Sequence, residues 1–158
     1  MLKNVKYFEA YYPVWDYKTH DWKRVKFWLE ENAADDCYQM RLDFYTTYGA
    51  PFLMTDGGRT HAQQKDVYVR KPGFAAKPGN SWHEAGMAID IDVTRNCQAI
   101  MKKRGYVSMD KAKQELRDFT ARYGFVKTVR KEEWHRDRRA ICKQKSLKAA
   151  IAYIGNNS

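Results

Sequence analysis

Two segments of the 158-residue chain carry side chains whose types and spacing could hold a metal ion. The first, Ser81-Trp82-His83-Glu84-Ala85-Gly86-Met87-Ala88-Ile89-Asp90, sets a histidine and an aspartate seven residues apart; the second is Glu132-Glu133-Trp134-His135. Two imidazoles and one carboxylate are donors that suit a hydrolytic zinc ion, with a fourth position open to water. A glutamate beside such a site could take the water's proton. Small residues at Gly86 and Ala88 would let the backbone pass close to the ion, and a loop-to-strand change there would turn both ligands to one point. Taken singly, each residue also has a plain structural reading: His83 as an ordinary histidine, Asp90 and Asp92 as a solvated strand face, Glu132 and Glu133 as a charged turn.

The surrounding patterning indicates which elements position these groups. Met87 to Val93 alternates as a β-strand, with Ala88, Asp90 and Asp92 on one face and Ile89 and Ile91 on the other. Pro51 to Thr55 reads as a short buried strand delivering Arg59 at its exit, followed by a helix over 61–70. Lys71 to Ser81 holds two of the four prolines and reads as an ordered loop. Trp22, Val25, Trp28 and Leu29 after Asp21, and Tyr38, Leu42 and Tyr45 before Gly49, fall at helical spacing, so the N-terminal third is expected to be mostly helical. A helix from Ser108 or Asp110 to Tyr123, stopped by Gly124, has Leu116, Phe119 and Tyr123 on its inner stripe. Strands are expected at Phe125 to Thr128 and Glu133 to His135, then a closing helix that packs Ile141, Leu147, Ile151 and Ile154. The sum is an α+β fold, a small antiparallel sheet flanked by helices.

Composition narrows the class. Lys plus Arg number 29 against 19 Asp plus Glu, a formal charge of +10, which points to an anionic partner: nucleic acid, a membrane surface or an anionic cell-wall polymer. With 44% hydrophobic and 15% aromatic residues the chain can build one core, so residues 1–158 are read as a single domain. No apolar run is long enough to span a membrane, and Met1 to Trp15 contains no signal-like apolar stretch. Three cysteines, Cys37, Cys97 and Cys142, leave at least one thiol free unless chains cross-link. No serine-nucleophile elbow or cysteine-peptidase signature occurs.

The string SWHEAGMAIDID, with EEWH downstream and GGRTHAQQ upstream, resembles the zinc D,D-peptidases and L-alanyl-D-glutamate endolysins. These share a zinc-site fold with D-alanyl-D-alanine carboxypeptidases, dipeptidases and the hedgehog signalling domain. The resemblance is carried by Ser81, His83, Gly86, Ala88 and Asp90, by Glu132, Trp134 and His135, and by Arg59, Thr60 and Gln64, over about 51–136; residues 1–50 and the tail from Arg136 lie outside it, the former expected to complete the domain. It implies one Zn2+ per chain bound by His83, Asp90 and His135. It further implies Glu132 as general base and proton donor, and Arg59 as the group holding a substrate carbonyl or carboxylate. Gln64 would support Arg59, Ser81 would buttress the site, and Trp82 and Trp134 would pack around the metal, Trp134 lining the cleft. Strand parity alone places Glu133, two before His135, on the ligand's face, whereas the family spacing selects Glu132; Glu133 is held in reserve, as is Asp92, which could orient a ligand or pair at the surface.

The implied activity is hydrolysis of an amide bond in the peptide stem of bacterial peptidoglycan, as an endolysin-like L-alanyl-D-glutamate or related endopeptidase. A D-Ala-D-Ala carboxypeptidase or dipeptidase is the alternative. Readings of another class are a basic nucleic-acid-binding module and a zinc domain without catalysis. The first is disfavoured because the basic residues are spread along the chain, the second because Glu132 and Arg59 are retained. The expected place of action is the bacterial cell wall or periplasm, with a phage lysin or a chain shorn of its leader accounting for the absent signal.

Overall fold

The computed structural model describes residues 1–92, 95–103, 105 and 108–156. The chain opens not with a helix but with a long antiparallel hairpin, β1 (Val5–Asp16) and β2 (Asp21–Glu30). This overturns the helical expectation for Trp22 to Leu29. The run VKYFEAYYPVWD is dense in aromatic and β-branched residues, and Val25, Phe27 and Leu29 also fit a period of two, so pairing with β1 decided between the two periods. Pro13 falls within the register shift between Tyr11 and Trp15, where a missing N–H costs no ladder bond.

Helix α1 (Glu31–Tyr48) follows directly and ends as expected at Gly49, whose φ of 73° lets its N–H bond the Tyr45 carbonyl. Its inner face, however, is Ala33, Cys37, Met40, Phe44 and Tyr48, while Tyr38, Leu42 and Tyr45 are exposed. The sequence stripe was therefore the outer face, and the inner one runs from the small Ala33 and Cys37 beside the hairpin to the large Phe44 and Tyr48 in the core. β3 (Leu53–Asp56), α2 (His61–Arg70) and β4 (Ala88–Asp92) match their expected places; Val93 lies outside the described residues. After α3 (Arg95–Lys102), α4 (Met109–Ala121) is capped by the Ser108 side chain on the Lys111 N–H and buries Ala112, Leu116 and Phe119.

The last strand is shorter and later than expected. β5 covers only His135–Asp137, and of 125–128 only Val126 bridges, to Asp137. A 3-10 turn (Arg139–Ile141) precedes α5 (Leu147–Tyr153), so Ile141 lies outside the closing helix and is half exposed, whereas Ile151 and Ile154 are buried. The three-stranded sheet has order β3-β4-β5, all antiparallel, with β4 central. One cluster of buried side chains runs from Phe27 and Leu29 of the hairpin through α1, β3 and β4 to Phe119 and Phe125.

The hairpin's inner end braces the loops that carry the site. Gly58 N–H bonds the Trp28 carbonyl and Glu30 N–H bonds the Gly86 carbonyl, each at 2.8 Å. Gly86 has φ +66°, and a Cβ there would lie 2.5 Å from the Glu30 nitrogen; at Gly58 it would lie 2.4 Å from the Trp28 ring. Gly86 thus serves close approach to β2 rather than to a metal ion. Gly86→Ala is expected to cost about 2–4 kcal/mol from left-handed strain plus overpacking, measured by urea unfolding. Cys37 is fully buried, and burial pushes its thiol up to about 12, while Cys142 is partly exposed and both are free. Mass mapping after brief iodoacetamide treatment should therefore find Cys142 alkylated in the native protein and Cys37 only in denaturant.

Candidate metal centre and active site

Asp90 in β4 and His135 in β5 are direct cross-strand partners, which places their side chains side by side on one face. His83 arrives from the Ser81–Gly86 loop, whose turn is closed by Glu84 N–H to Ser81 carbonyl (3.0 Å) and Gly86 N–H to His83 carbonyl (3.1 Å). The three side chains are buried, and one ligand atom from each lies within 4.8 Å of the other two.

The donor set fits a metal ion. His83 donates through Nδ1 to the Gly57 carbonyl (2.7 Å), and His135 donates through Nε2 to Asp137 Oδ2 (2.9 Å). With those tautomers the remaining nitrogens, His83 Nε2 and His135 Nδ1, present lone pairs 3.2 and 3.4 Å from Asp90 Oδ1. Neither nitrogen is aligned to donate to that oxygen, which is buried without a hydrogen-bond partner. Three acceptors facing one another in a buried site require a cation among them. In the metal-free chain a proton meets that need. Burial lowers the His135 pKa, but its hydrogen bond to Asp137 and the negative charge of Asp90 close by outweigh this and raise it to about 9. Burial likewise opposes ionisation of Asp90, yet His83 and His135 hold it well below the usual carboxylate range.

Asp137, which sequence reasoning did not single out, is the anchor behind His135. Burial would raise its pKa, but His135, Arg139 and Thr128 hold it low. It accepts from Thr128 Oγ1 (2.5 Å) and from Arg139 Nε and Nη2 (3.0 and 2.8 Å). Its i+2 spacing from His135 on a strand was the available signal. Glu84 was missed as well: fully buried, its carboxylate accepts from Gly79 N, Ser81 N and His61 Nδ1, shaping the ligand loop from inside. Asn156 joins the tail to that loop, donating to the Arg59 and Glu84 carbonyls at 2.8 and 2.7 Å, a long-range contact without sequence signature.

The other candidate residues separate clearly. Arg59 donates to Asp56 Oδ2 (2.6 Å), Gln64 Oε1 (3.0 Å) and Asp90 Oδ2 (3.4 Å), and buried Gln64 is itself fixed on the Ala76 carbonyl (2.8 Å). Ser81 Oγ accepts from the His83 N–H at 3.2 Å. Glu132 reaches within 3.8 Å of His135 Nδ1, whereas Glu133 turns to Arg117, 3.3 Å away. Strand parity misplaces Glu133 because the strand begins only at His135. Residues 133–134 form a turn closed by His135 N–H on the Glu132 carbonyl, and Arg136 Nη1 holds the Glu133 and His135 carbonyls. Asp92 is exposed and stands apart from the three-residue cluster. A cleft of about 310 Å3 opens over the centre, lined by Arg59, Lys71, Ser81, Trp82, His83, Asp90, Glu132, Trp134, His135 and Arg139.

An antiparallel sheet flanked by helices, with a buried His-Asp-His cluster under a cleft, is the arrangement of a zinc peptidase. Residues 26–137 match the VanY D-alanyl-D-alanine carboxypeptidase family, and the chain belongs to it; it is a peptidase. The match reaches back to residue 26, inside β2, so the resemblance extends beyond the 51–136 read from motifs. The fold is similar to that of VanYB in complex with D-alanine-D-alanine (TM-score 0.53, 18% identity, 70% of this chain and 71% of that chain). It is similar also to the vancomycin resistance D,D-pentapeptidase VanY in complex with Zn(II) (0.53, 19%, 80% and 78%). A third is the LdcB LD-carboxypeptidase (0.51, 26%, 70% and 65%). No curated protein matches the chain by sequence. Among the described residues no helix is long and apolar enough to cross a membrane.

Two outcomes are expected. Asp137→Asn should weaken metal affinity about 10- to 100-fold, read by competition with a chromophoric chelator. In metal-free protein, His135 contributes stability fully below its unfolded value of 6.5 and loses it as pH rises through about 9. Asp90 and Asp137, depressed in the fold, contribute above their ordinary value of 3.8 and lose it on acidification. Unfolding midpoints of the metal-free protein should therefore be highest between about pH 4 and 6.5, and the alkaline fall should vanish on metal loading.

Proposed function

We propose that the protein is a zinc peptidase that hydrolyses an amide bond in the peptide stem of bacterial peptidoglycan, with residues 1–158 forming one catalytic domain. The observation that carries this reading is the unpartnered Asp90 oxygen facing two histidine nitrogens beneath an open cleft. Two imidazoles and a carboxylate suit Zn2+, held through His83 Nε2, Asp90 Oδ1 and His135 Nδ1. When bound, the ion supplies Lewis acidity that makes water nucleophilic at neutral pH and polarises a carbonyl.

The chain's own residues supply the remainder. Glu132, on the cleft wall beside His135, takes the attacking water's proton and passes it to the leaving amine. Arg59, held by Asp56, Gln64 and Asp90, presents fixed positive charge toward the developing oxyanion or a substrate carboxylate. Arg139, clamped on Asp137 with its guanidinium 5.9 Å from the Trp82 ring centroid, and Lys71 add two further cations to the same cleft. The +10 net charge would concentrate the enzyme on an anionic wall polymer, placing its action at the cell wall.

Two bonds are supported by different observations. Membership of the VanY family and the cleft cations, which suit a terminal carboxylate, favour removal of the last D-alanine. The motif resemblance to endolysins, and a cleft that continues past Trp134, favour an L-alanyl-D-glutamate or related endopeptidase. Mass spectrometry of digested peptidoglycan separates them: loss of single D-alanine residues marks the first, release of peptides from the glycan the second. In the same assay Glu132→Ala should lower turnover about 100- to 10,000-fold while retaining zinc, and Glu133→Ala should stay close to wild type. The opposite ranking would reassign the base.

A further inference from the structure

Away from the metal centre, the outer face of α1 carries apolar side chains that the core does not use. Tyr38, Leu42 and Tyr45 are 63%, 50% and 54% exposed, and with Tyr11 of β1 they wall a groove of about 190 Å3 floored by the buried Phe52. Phe52 precedes β3, and Asp56 at the other end of that strand pairs with Asp90, so about 13 Å of extended chain separates the groove from the metal centre. At Tyr11 and Arg41 the groove continues into a second lobe of about 140 Å3, to which Glu9 and Arg24 contribute. One lobe is thus aromatic and the other carries two guanidinium groups.

Both arginines are held in place with charge to spare. Arg41 donates to the Glu9 carbonyl (2.8 Å), a neutral partner, and its guanidinium lies 5.3 Å from the Phe8 ring centroid. Arg24 lies 5.4 Å from the Tyr11 ring centroid and reaches Asp21 only at 4.0 Å, with its side chain 60% exposed, so that pair neutralises little. Glu9, the acid in this lobe, is the direct cross-strand partner of Lys26. Planar guanidinium groups fixed by ring stacking are suited to a carboxylate. Tyrosine offers an apolar ring face and a hydroxyl together, which suits a sugar, whose C–H face stacks and whose hydroxyls hydrogen-bond.

We propose that this groove is a docking site for an acidic polysaccharide, a sugar ring lying on the tyrosines and a carboxylate of the same or the next sugar meeting Arg24 and Arg41. Charge complementarity selects an acidic over a neutral glycan. Single-stranded nucleic acid fits less well, because it needs cations along the whole track of stacked bases, and here they stand at one end. The groove would hold the protein on a wall polysaccharide while the distant cleft works on peptide. The choice of a wall polymer draws on the peptidase reading above, whereas the chemistry of the groove does not.

The test is calorimetry on the zinc-loaded full chain with three probes: hexagalacturonate, neutral maltohexaose and a thymidine dodecamer. Hexagalacturonate is expected to bind about 10-fold or more tightly than maltohexaose. Tyr38→Ala and Tyr45→Ala should each raise its Kd about 3- to 10-fold, and Arg24→Gln about 2- to 5-fold. These side chains are exposed, so thermal unfolding midpoints and zinc content of the variants should match wild type, which separates lost binding from lost fold. No binding of hexagalacturonate, equal affinity for maltohexaose, or affinity untouched by the tyrosine variants overturns the proposal, as does tighter binding of the dodecamer. Polysaccharide binding by a protein that leaves peptidoglycan intact would instead overturn the peptidase reading and leave the groove in place.

Discussion

A carboxylate buried between two imidazole lone pairs is unstable without a cation, and much of the chain serves to maintain that arrangement. Asp90 cannot turn to solvent because β4 is the central strand, paired on one side to Asp56 of β3 and on the other to His135 of β5. His83 and His135 cannot turn away because each is tied at its other nitrogen, to the Gly57 carbonyl and to Asp137. Acceptors held rigidly toward one point replace the reorganisation that water would otherwise supply, which is what a tight metal site needs.

Support for this point reaches the ends of the chain. The hairpin bonds the Gly58 and Gly86 segments from one side, while Asn156 bonds the carbonyls of Arg59 and Glu84 from the other. The N-terminal hairpin is thereby part of the catalytic scaffold at its inner end, where Trp28 packs on two glycines that cannot accept a side chain. At its outer end, Trp15 and Trp22 pack edge to face on each other.

What could be read from the sequence follows the range of the interactions. Motif residues and the alternation of β4 were legible because ligand chemistry and strand periodicity are local. That Glu132 and not Glu133 lies beside His135 could be read only from the family spacing, since parity assumes a strand where the chain in fact turns. The hairpin was misread because Trp22, Val25 and Leu29 satisfy a helical period while the pairing that makes them a strand lies in β1. On α1 Tyr38, Leu42 and Tyr45 suggested the wrong face, because the helix buries Ala33, Cys37, Met40, Phe44 and Tyr48 instead. Asn156 acts through tertiary contacts, whereas Asp137, two residues from His135, and Glu84, which bonds the Ser81 N–H three residues upstream, left local traces.

The central claim is that His83, Asp90 and His135 share one metal ion. The most direct measurement is an anomalous difference map from crystals of the purified protein, recorded on both sides of the zinc absorption edge. One zinc peak per chain is expected, about 2.0–2.2 Å from His83 Nε2, an Asp90 carboxylate oxygen and His135 Nδ1. A well-ordered site with no peak after zinc loading, or a peak held by other residues, would contradict it.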